Sequence, residues 1–284
     1  MSAPLLQVTD LSIDFRTETG TVTAVDGVSF EVGRGECLGI VGESGSGKSV
    51  SVSSLLGLLP RETAVRRGGT AMFDGVDLYT LSPRELDRVR GGRIGMIFQD
   101  PMSSFNPVTR IGSQVAEVIR THNRHVSKRA ALARVVELFE RVGIPDPTMR
   151  VRQYPHELSG GMRQRAMIAM AIANDPPLII ADEPTTALDV TVQAQVLDLL
   201  RDLQRDLGIG LILITHDLGV VAEMADRVVV MRRGRVLETS EVFDLFANPT
   251  SDYTRELLDC RPRMDASERR LRRVGVPASA EEDR

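Results

Sequence analysis

The run Gly42-Glu43-Ser44-Gly45-Ser46-Gly47-Lys48-Ser49 constrains this chain more than any other stretch. It has the G-x-x-x-x-G-K-S spacing of a phosphate-binding loop. Before it, Cys37-Leu38-Gly39-Ile40-Val41 reads as a short buried strand. After it, residues 50–59 read as an apolar helix stopped by Pro60. A strand, a glycine turn and a helix start make an anion site, because backbone N–H groups and the helix dipole converge there. Lys48 is placed to reach the β- and γ-phosphates of a nucleotide, and the Ser49 hydroxyl to ligate Mg²⁺. The identity of the cation is informative. Of 35 Lys and Arg residues, only Lys48 and Lys128 are lysine. Arg is a planar fork and Lys a compact point charge, so a lysine at position 48 marks a site that wants the latter.

The remaining composition excludes several classes. A length of 284 residues suggests about two domains, or one with a substantial subdomain. The net charge of -4 argues against a nucleic-acid binder driven by phosphate neutralisation. No apolar run approaches the roughly 18 residues that span a bilayer, and the N-terminus lacks a basic-then-apolar export signal. Cys37 and Cys260 alone offer no disulfide framework and no structural zinc site, and suggest a reducing compartment.

Residues 4–41 read as β-rich, with strands at 5–8 and 11–15, a turn at 17–21 and a further strand at 22–32. Phe15 is either a sheet-face residue or a stacking surface for a nucleobase. Residues 61–69 read as a polar loop. Asp74-Gly75 sits between two apolar runs as a hairpin turn, and Ser82 with Pro83 opens a short helix. A strand at 93–98 ends at Gln99-Asp100-Pro101. Strand signals then vanish. Residues 111–119 and 128–142 read as amphipathic helices, so residues 102–157 are expected to form a helical subdomain inserted into the sheet domain. His122 and His125 fall in a polar linker and read as solvent-exposed.

Leu158-Ser159-Gly160-Gly161-Met162 follows, with Ser159 as N-cap of a helix running to about residue 174. Two glycines leave the first-turn N–H groups unshielded, which suits either a second anion site or merely a flexible helix start. The run 178–183 is a buried strand ending in Asp182 and Glu183. Carboxylates there stand at the carboxyl edge of a sheet, where ligands bind. Asp182 is expected to hold Mg²⁺ through water, and Glu183 to accept a proton from an attacking water. A loop at 185–189 leads to a long helix at 191–207. A third buried strand, 211–214, ends at Thr215-His216-Asp217, and His216 is expected to act at the phosphate site. Strands at 227–231 and 235–238 form a closing hairpin. From residue 242 the chain reads as a helical extension with a frayed tail, in which Arg269, Arg270, Arg272 and Arg273 read as a solvated helix face.

In order, the glycine loop, Gln99, Leu158-Ser159-Gly160-Gly161, Asp182-Glu183, Ala187-Leu188-Asp189 and His216 resemble the ATP-binding cassette (ABC) ATPases of transporters over about residues 5–240. Within that family, Phe98-Gln99-Asp100-Pro101-Met102, Ser159-Gly160-Gly161-Met162-Arg163-Gln164-Arg165 and Asn248-Pro249-Thr250 through Leu258 are similar to the dipeptide/oligopeptide importer subfamily, which also includes nickel and glutathione importers. The implied fold is α/β: a P-loop NTPase parallel-sheet core, an N-terminal antiparallel β subdomain and the inserted helical subdomain. The implied division is a cassette at 1–240 and an extension at 241–284. Many relatives end in a four-cysteine segment holding an iron–sulfur cluster; only Cys260 lies in that region, so no cluster is expected.

The resemblance also implies a mechanism and partners. Two cassettes dimerise head to tail around ATP and Mg²⁺. Gly42, Glu43, Ser44, Gly45, Ser46, Gly47, Lys48 and Ser49 hold the triphosphate, and Phe15 stacks on the base. Ser159, Gly160, Gly161 and Met162 of the opposing cassette cap the γ-phosphate. Glu183 and His216 act on the lytic water, Ser49, Gln99 and Asp182 complete the metal shell, and Asp189 contacts across the dimer. Partners are two integral-membrane permease subunits, a second ATPase subunit and an extracytoplasmic substrate-binding protein, with no nucleic acid. The location is peripheral, at the cytoplasmic face of the cell membrane. A soluble cassette acting on nucleic acid or ribosomes, and an exporter ATPase, are the alternatives. One cassette without a coiled-coil arm disfavours the first, and exporter cassettes are often fused to their membrane segments.

Overall fold

A computed structural model describes residues 3–186 and 188–259 of the chain. Ala187, Cys260 and the arginine cluster at 269–273 lie outside the described residues.

The N-terminal strands are β1 (Leu6–Thr17) and β2 (Gly20–Val32), followed by β3 (Cys37–Val41), helix α1 (Lys48–Leu55), β4 (Ala64–Phe73) and β5 (Val76–Asp77). Then come α2 (Pro83–Val89), β6 (Ile94–Ile97), α3 (Pro101–Ser104), α4 (Ile111–His122), α5 (Lys128–Arg141), α6 (Pro147–Arg150) and α7 (Gly160–Ala171). The chain continues through β7 (Leu178–Asp182), α8 (Val190–Leu207), β8 (Gly210–Thr215), α9 (Leu218–Met224), β9 (Arg227–Arg232), β10 (Arg235–Glu241), α10 (Val242–Ala247) and α11 (Asp252–Asp259).

Two sheets result. One is antiparallel in the order β2-β1-β4-β5; the other runs β10-β9-β3-β8-β7-β6 and is parallel except for β10. Strands β3, β7 and β8 are buried at every position, as expected of parallel strands covered on both faces. Side chains alternate between two cores. Cys37, Val41, Ile179, Ala181, Leu211 and Leu213 face a helical layer that includes α4, α5, α7 and α8. Leu38, Ile40, Leu178, Ile180, Ile212 and Ile214 face α1 and the antiparallel sheet. The period of two therefore sorts each strand between layers without any polar side.

Several local expectations are corrected. The strands read at 5–8 and 11–15 are one strand, β1, with irregular pairing between Val8 and Leu11. Asp10 takes a left-handed φ of 54°, and its N–H donates to Ser29 Oγ at 2.9 Å; Asp tolerates that conformation, so a bulge replaces a chain break. The polar stretch read as a loop is mostly strand: residues 64–69 belong to β4, which pairs antiparallel with β1. Their polarity reflects a solvated face of a sheet, with Arg67 reaching Asp14 of β1 at 3.0 Å. Helix α1 begins at Lys48 itself and ends at Leu55, well before Pro60. Gly57 at φ 57° lets Gly57 and Leu58 return their N–H groups to the Ser54 and Ser53 carbonyls, which closes the helix early. Helix α7 likewise stops at Ala171 rather than near residue 174. His122 is in the last turn of α4 and half-buried, not in an exposed linker.

Other elements form where their local chemistry points. Asp74 and Gly75 both have positive φ, and Phe73 pairs with Val76 across that turn. Ser82 and Glu85 make a reciprocal capping box ahead of Pro83. Between β6 and β7 the described chain carries helices and no strand. There Ile111, Val115 and Ile119 of α4, and Ala131, Val135, Leu138 and Phe139 of α5, turn inward at helical spacing.

Candidate functional site

The polar residues singled out above gather at one end of the parallel sheet. Val41 pairs with Thr215 and Asp182 with Ile214, so β3, β8 and β7 end side by side. Gln99 follows β6, and His216 follows β8. That edge is the ligand side of an open α/β sheet.

The glycine loop is held by its neighbours. A Cβ on Gly42 would stand 2.1 Å from the Met231 carbonyl oxygen, at φ +152°. Only glycine fits between β3 and β9 there. At the other end Gly47 is the N-cap of α1, in the left-handed region, and no side chain caps the first turn. The helix start is thus left for a ligand carrying its own acceptors.

Lys48 is 5% exposed. Its Nζ donates to the Gly42 and Glu43 carbonyls at 2.8 and 2.9 Å. Burial pulls its pKa down, while Glu183, Asp182 and Glu43 oppose the shift. A cation fixed to two backbone oxygens in this way can exchange them for phosphate oxygens without moving far from the loop.

Asp182 is also buried, and its Oδ1 accepts from Ser49 Oγ at 2.8 Å. Its carboxyl is held above the ordinary range, first by burial and also by Glu183, with the Ser49 hydrogen bond and Lys48 pulling the other way. A buried carboxylate so placed is short of positive charge. Two hard oxygen donors this close suit Mg²⁺, which takes few protein ligands and leaves room for water and substrate phosphates. Among the described residues no cluster of three His, Cys, Asp or Glu is placed to hold a metal ion.

Glu183 is the hub of a third group. It follows β7 with a left-handed φ of 47°, and its N–H donates to the Ile214 carbonyl at 2.9 Å. Its Oε2 accepts from Gln99 Nε2 at 3.0 Å and from Thr186 Oγ1 at 2.8 Å. His216 Nδ1 lies 3.5 Å from Oε1. The unusual backbone turns Glu183 away from Asp182, so adjacent carboxylates serve different neighbours.

Ser159 caps α7, its Oγ accepting from Met162 N at 3.2 Å. A Cβ on Gly160 would meet nothing within 4 Å, whereas one on Gly161 would press on Val192 of α8 at 2.8 Å. Among the described residues no hydrogen bond joins this segment to the glycine loop of the same chain. Asp189 caps α8 through Val192 N at 2.9 Å, beside Val190, which is 84% exposed. Phe15 lies in β1 between Val22 and Ala64, half-buried against the antiparallel sheet's core. The structure therefore brings together Lys48, Ser49, Asp182, Glu183, His216 and Gln99; among the described residues no hydrogen bond joins Ser159, Gly160, Gly161, Met162, Asp189 or Phe15 to that group.

Comparison with known proteins matches residues 25–186 to the ABC transporter family. The chain belongs to the ABC transporter family. Relatives extend the match nearly end to end. The oligopeptide transport ATP-binding protein OppD of Bacillus subtilis is 53% identical over 93% of this chain and 73% of its own length. A probable peptide ABC transporter ATP-binding protein of Sinorhizobium fredii is 55% identical over 91% of the chain and 77% of its own. A dimeric post-hydrolysis structure of the ATP-binding cassette MJ0796, bound to ADP and Pi, superposes with a TM-score of 0.74 at 26% identity, covering 84% of this chain and 98% of that one. Like other ABC cassettes, this chain is a nucleotide-binding ATPase.

Two contacts in the ABC site escape the sequence reading of catalytic residues. Thr186 braces Glu183 from three residues downstream; the only local signal is a hydroxyl at turn spacing. Tyr253 of α11 accepts a hydrogen bond from Glu43 N at 3.1 Å, from 210 positions away. No local pattern announces that contact.

Proposed function

We propose that this chain is the ATP-hydrolysing subunit of an importer for dipeptides or oligopeptides, working at the cytoplasmic face of the cell membrane. The observation that carries the chemistry is the convergence of Lys48, Ser49, Asp182, Glu183, Gln99 and His216 at one sheet edge. Peptide cargo is supported by relatives more than half identical to the chain, which are named as oligopeptide and peptide transport ATP-binding proteins. No described helix is long and apolar enough to cross a membrane. In this reading two permease subunits form the passage. An extracytoplasmic binding protein selects cargo, and a second cassette completes the ATP site.

Residues 42–49 hold the triphosphate, with Lys48 trading its two carbonyl partners for β- and γ-phosphate oxygens. Phe15 offers its half-exposed ring to the base. Ser49 and Asp182, with Gln99, would hold Mg²⁺, which neutralises phosphate charge. Glu183, held by Thr186, positions a water and takes its proton as the water oxygen attacks the γ-phosphorus and the bond to ADP breaks. His216, on the other carboxylate oxygen, orients that water. Ser159, Gly160, Gly161 and Met162 of the second cassette cap the γ-phosphate, and Asp189 meets the dimer partner. The open space above Gly160 and the exposure of Val190 suit that role.

Copurification from membranes, followed by reconstitution in liposomes, tests the assignment. Two permease subunits, a second cassette and peptide-stimulated ATP hydrolysis are the expected result. Stimulation by nickel or glutathione but not by peptide, or recovery with ribosomes, would overturn it.

A further inference from the structure

The C-terminal helix α11 is tied directly to the glycine loop. Tyr253 is 3% exposed, and its hydroxyl accepts from the Glu43 N–H at 3.1 Å. The Arg232 guanidinium lies 4.4 Å from its ring centroid. Arg232 ends β9, next to Met231, whose carbonyl backs Gly42. The same helix is anchored to β10. Glu238 accepts from Thr250 N at 2.8 Å, Ser251 N at 3.1 Å and Thr254 Oγ1 at 2.6 Å, with Thr254 fully buried.

The Glu43 residue is therefore gripped from both sides. Its N–H goes to Tyr253, while its carbonyl takes Lys48 Nζ at 2.9 Å and Ser46 N at 3.1 Å. When Lys48 turns to a phosphate, that carbonyl keeps only Ser46. The Tyr253 bond does not involve Lys48, so it survives the exchange.

We propose that Tyr253 is a positioning residue for ATP binding: it pins the start of the glycine loop through the Glu43 N–H, so that the cradle keeps its shape when Lys48 leaves Gly42 and Glu43 for the nucleotide. The C-terminal segment thereby sets nucleotide affinity without touching the nucleotide. This rests on the reading that residues 42–49 hold the triphosphate.

The test is Tyr253→Phe in the full chain, which keeps the ring and its arginine and removes only the hydroxyl. Loss of one buried hydrogen bond predicts a rise of about three- to tenfold in the KM and Kd for MgATP, with kcat within about twofold. Hydrogen exchange at the Glu43 N–H should accelerate while β8 amides stay protected. Thr254→Val, which loosens the anchor, should shift KM in the same direction. Unchanged KM, Kd and Glu43 exchange in Tyr253→Phe would overturn the proposal. So would an equal loss of protection throughout the sheet, which would mark a purely structural residue. Lys48→Ala separates the two ideas. If it binds MgATP like the wild type, the triphosphate reading itself fails; if it loses binding while Tyr253→Phe does not, only the positioning role fails.

Discussion

Ser49 Oγ donates to Asp182 Oδ1 at 2.8 Å, joining residues 133 positions apart. The bond sets a hydroxyl from the glycine loop after β3 against a buried carboxylate at the end of β7, two strands along the parallel sheet. It also explains how Asp182 tolerates burial: the hydroxyl supplies a donor while the carboxyl is held above its ordinary range, chiefly by desolvation.

Asp182→Asn keeps an acceptor for Ser49 and removes the charge. For an acid whose folded pKa is raised, the protonated form is favoured in the fold. Its stabilising contribution is present at low pH and is lost as pH rises through the folded value. At neutral pH the charge is a cost, so the unliganded melting temperature of the variant should not fall. If Asp182 holds magnesium as proposed, hydrolysis should drop by at least about 100-fold. Calorimetry and a phosphate-release assay check both; a melting loss with retained turnover would contradict the account.

Glu183→Gln leaves the Thr186 and Gln99 contacts approximately in place but removes the proton acceptor. Turnover should fall by roughly 10²–10⁴-fold. MgATP should still bind and accumulate cassette dimers, visible by size-exclusion chromatography. Normal turnover would remove Glu183 from that role.

Glycines 42 and 160 should behave oppositely. Gly42→Ala drives a Cβ to 2.1 Å from the Met231 carbonyl. It should destabilise the chain by about 2–4 kcal/mol, from overpacking and backbone strain combined. At Gly160 a Cβ meets nothing within 4 Å. Gly160→Ala should therefore melt like the wild type yet impair MgATP-dependent dimerisation, if that surface caps a partner's phosphate. Urea melts and dimerisation assays compare the pair directly.

Acid should release α11 before the central sheet. Burial alone would raise the Glu238 carboxyl, but hydrogen bonds from Thr250, Thr254 and Ser251 outweigh it and hold the group below the usual range. A depressed carboxyl contributes stability that is complete above its unfolded value of about 4.3 and fades as pH falls through the lower folded value. Hydrogen exchange across that window should show α11 amides losing protection first. Glu238→Gln should lose that pH dependence; a variant that retains it would place the switch elsewhere.

Much of this protein was readable from its residues. Gly42 to Ser49 and the apolar runs of β3, β7 and β8 are local signals, because a glycine turn and a doubly buried strand each need particular residues in sequence. Expectation failed where pairing partners decide. Residues 64–69 look like a loop by composition, yet β1 supplies their hydrogen bonds and their polar faces meet water. The bulge at Asp10 joins two apparent strands because Ser29, from the next strand, takes its N–H.

The order and chemistry of the motifs were fixed by the chain's own pattern: a phosphate cradle, an acidic strand end and a histidine after a buried strand. Tertiary structure alone decided that Ser49 meets Asp182, that Glu183 turns toward Thr186, Gln99 and His216, and that Tyr253 reaches Glu43. The physical reason is range. Turns, caps and periodicity are set within a few residues by backbone sterics and local hydrogen bonds. Contacts across a sheet edge exist only after burial of both faces has set strand order and register.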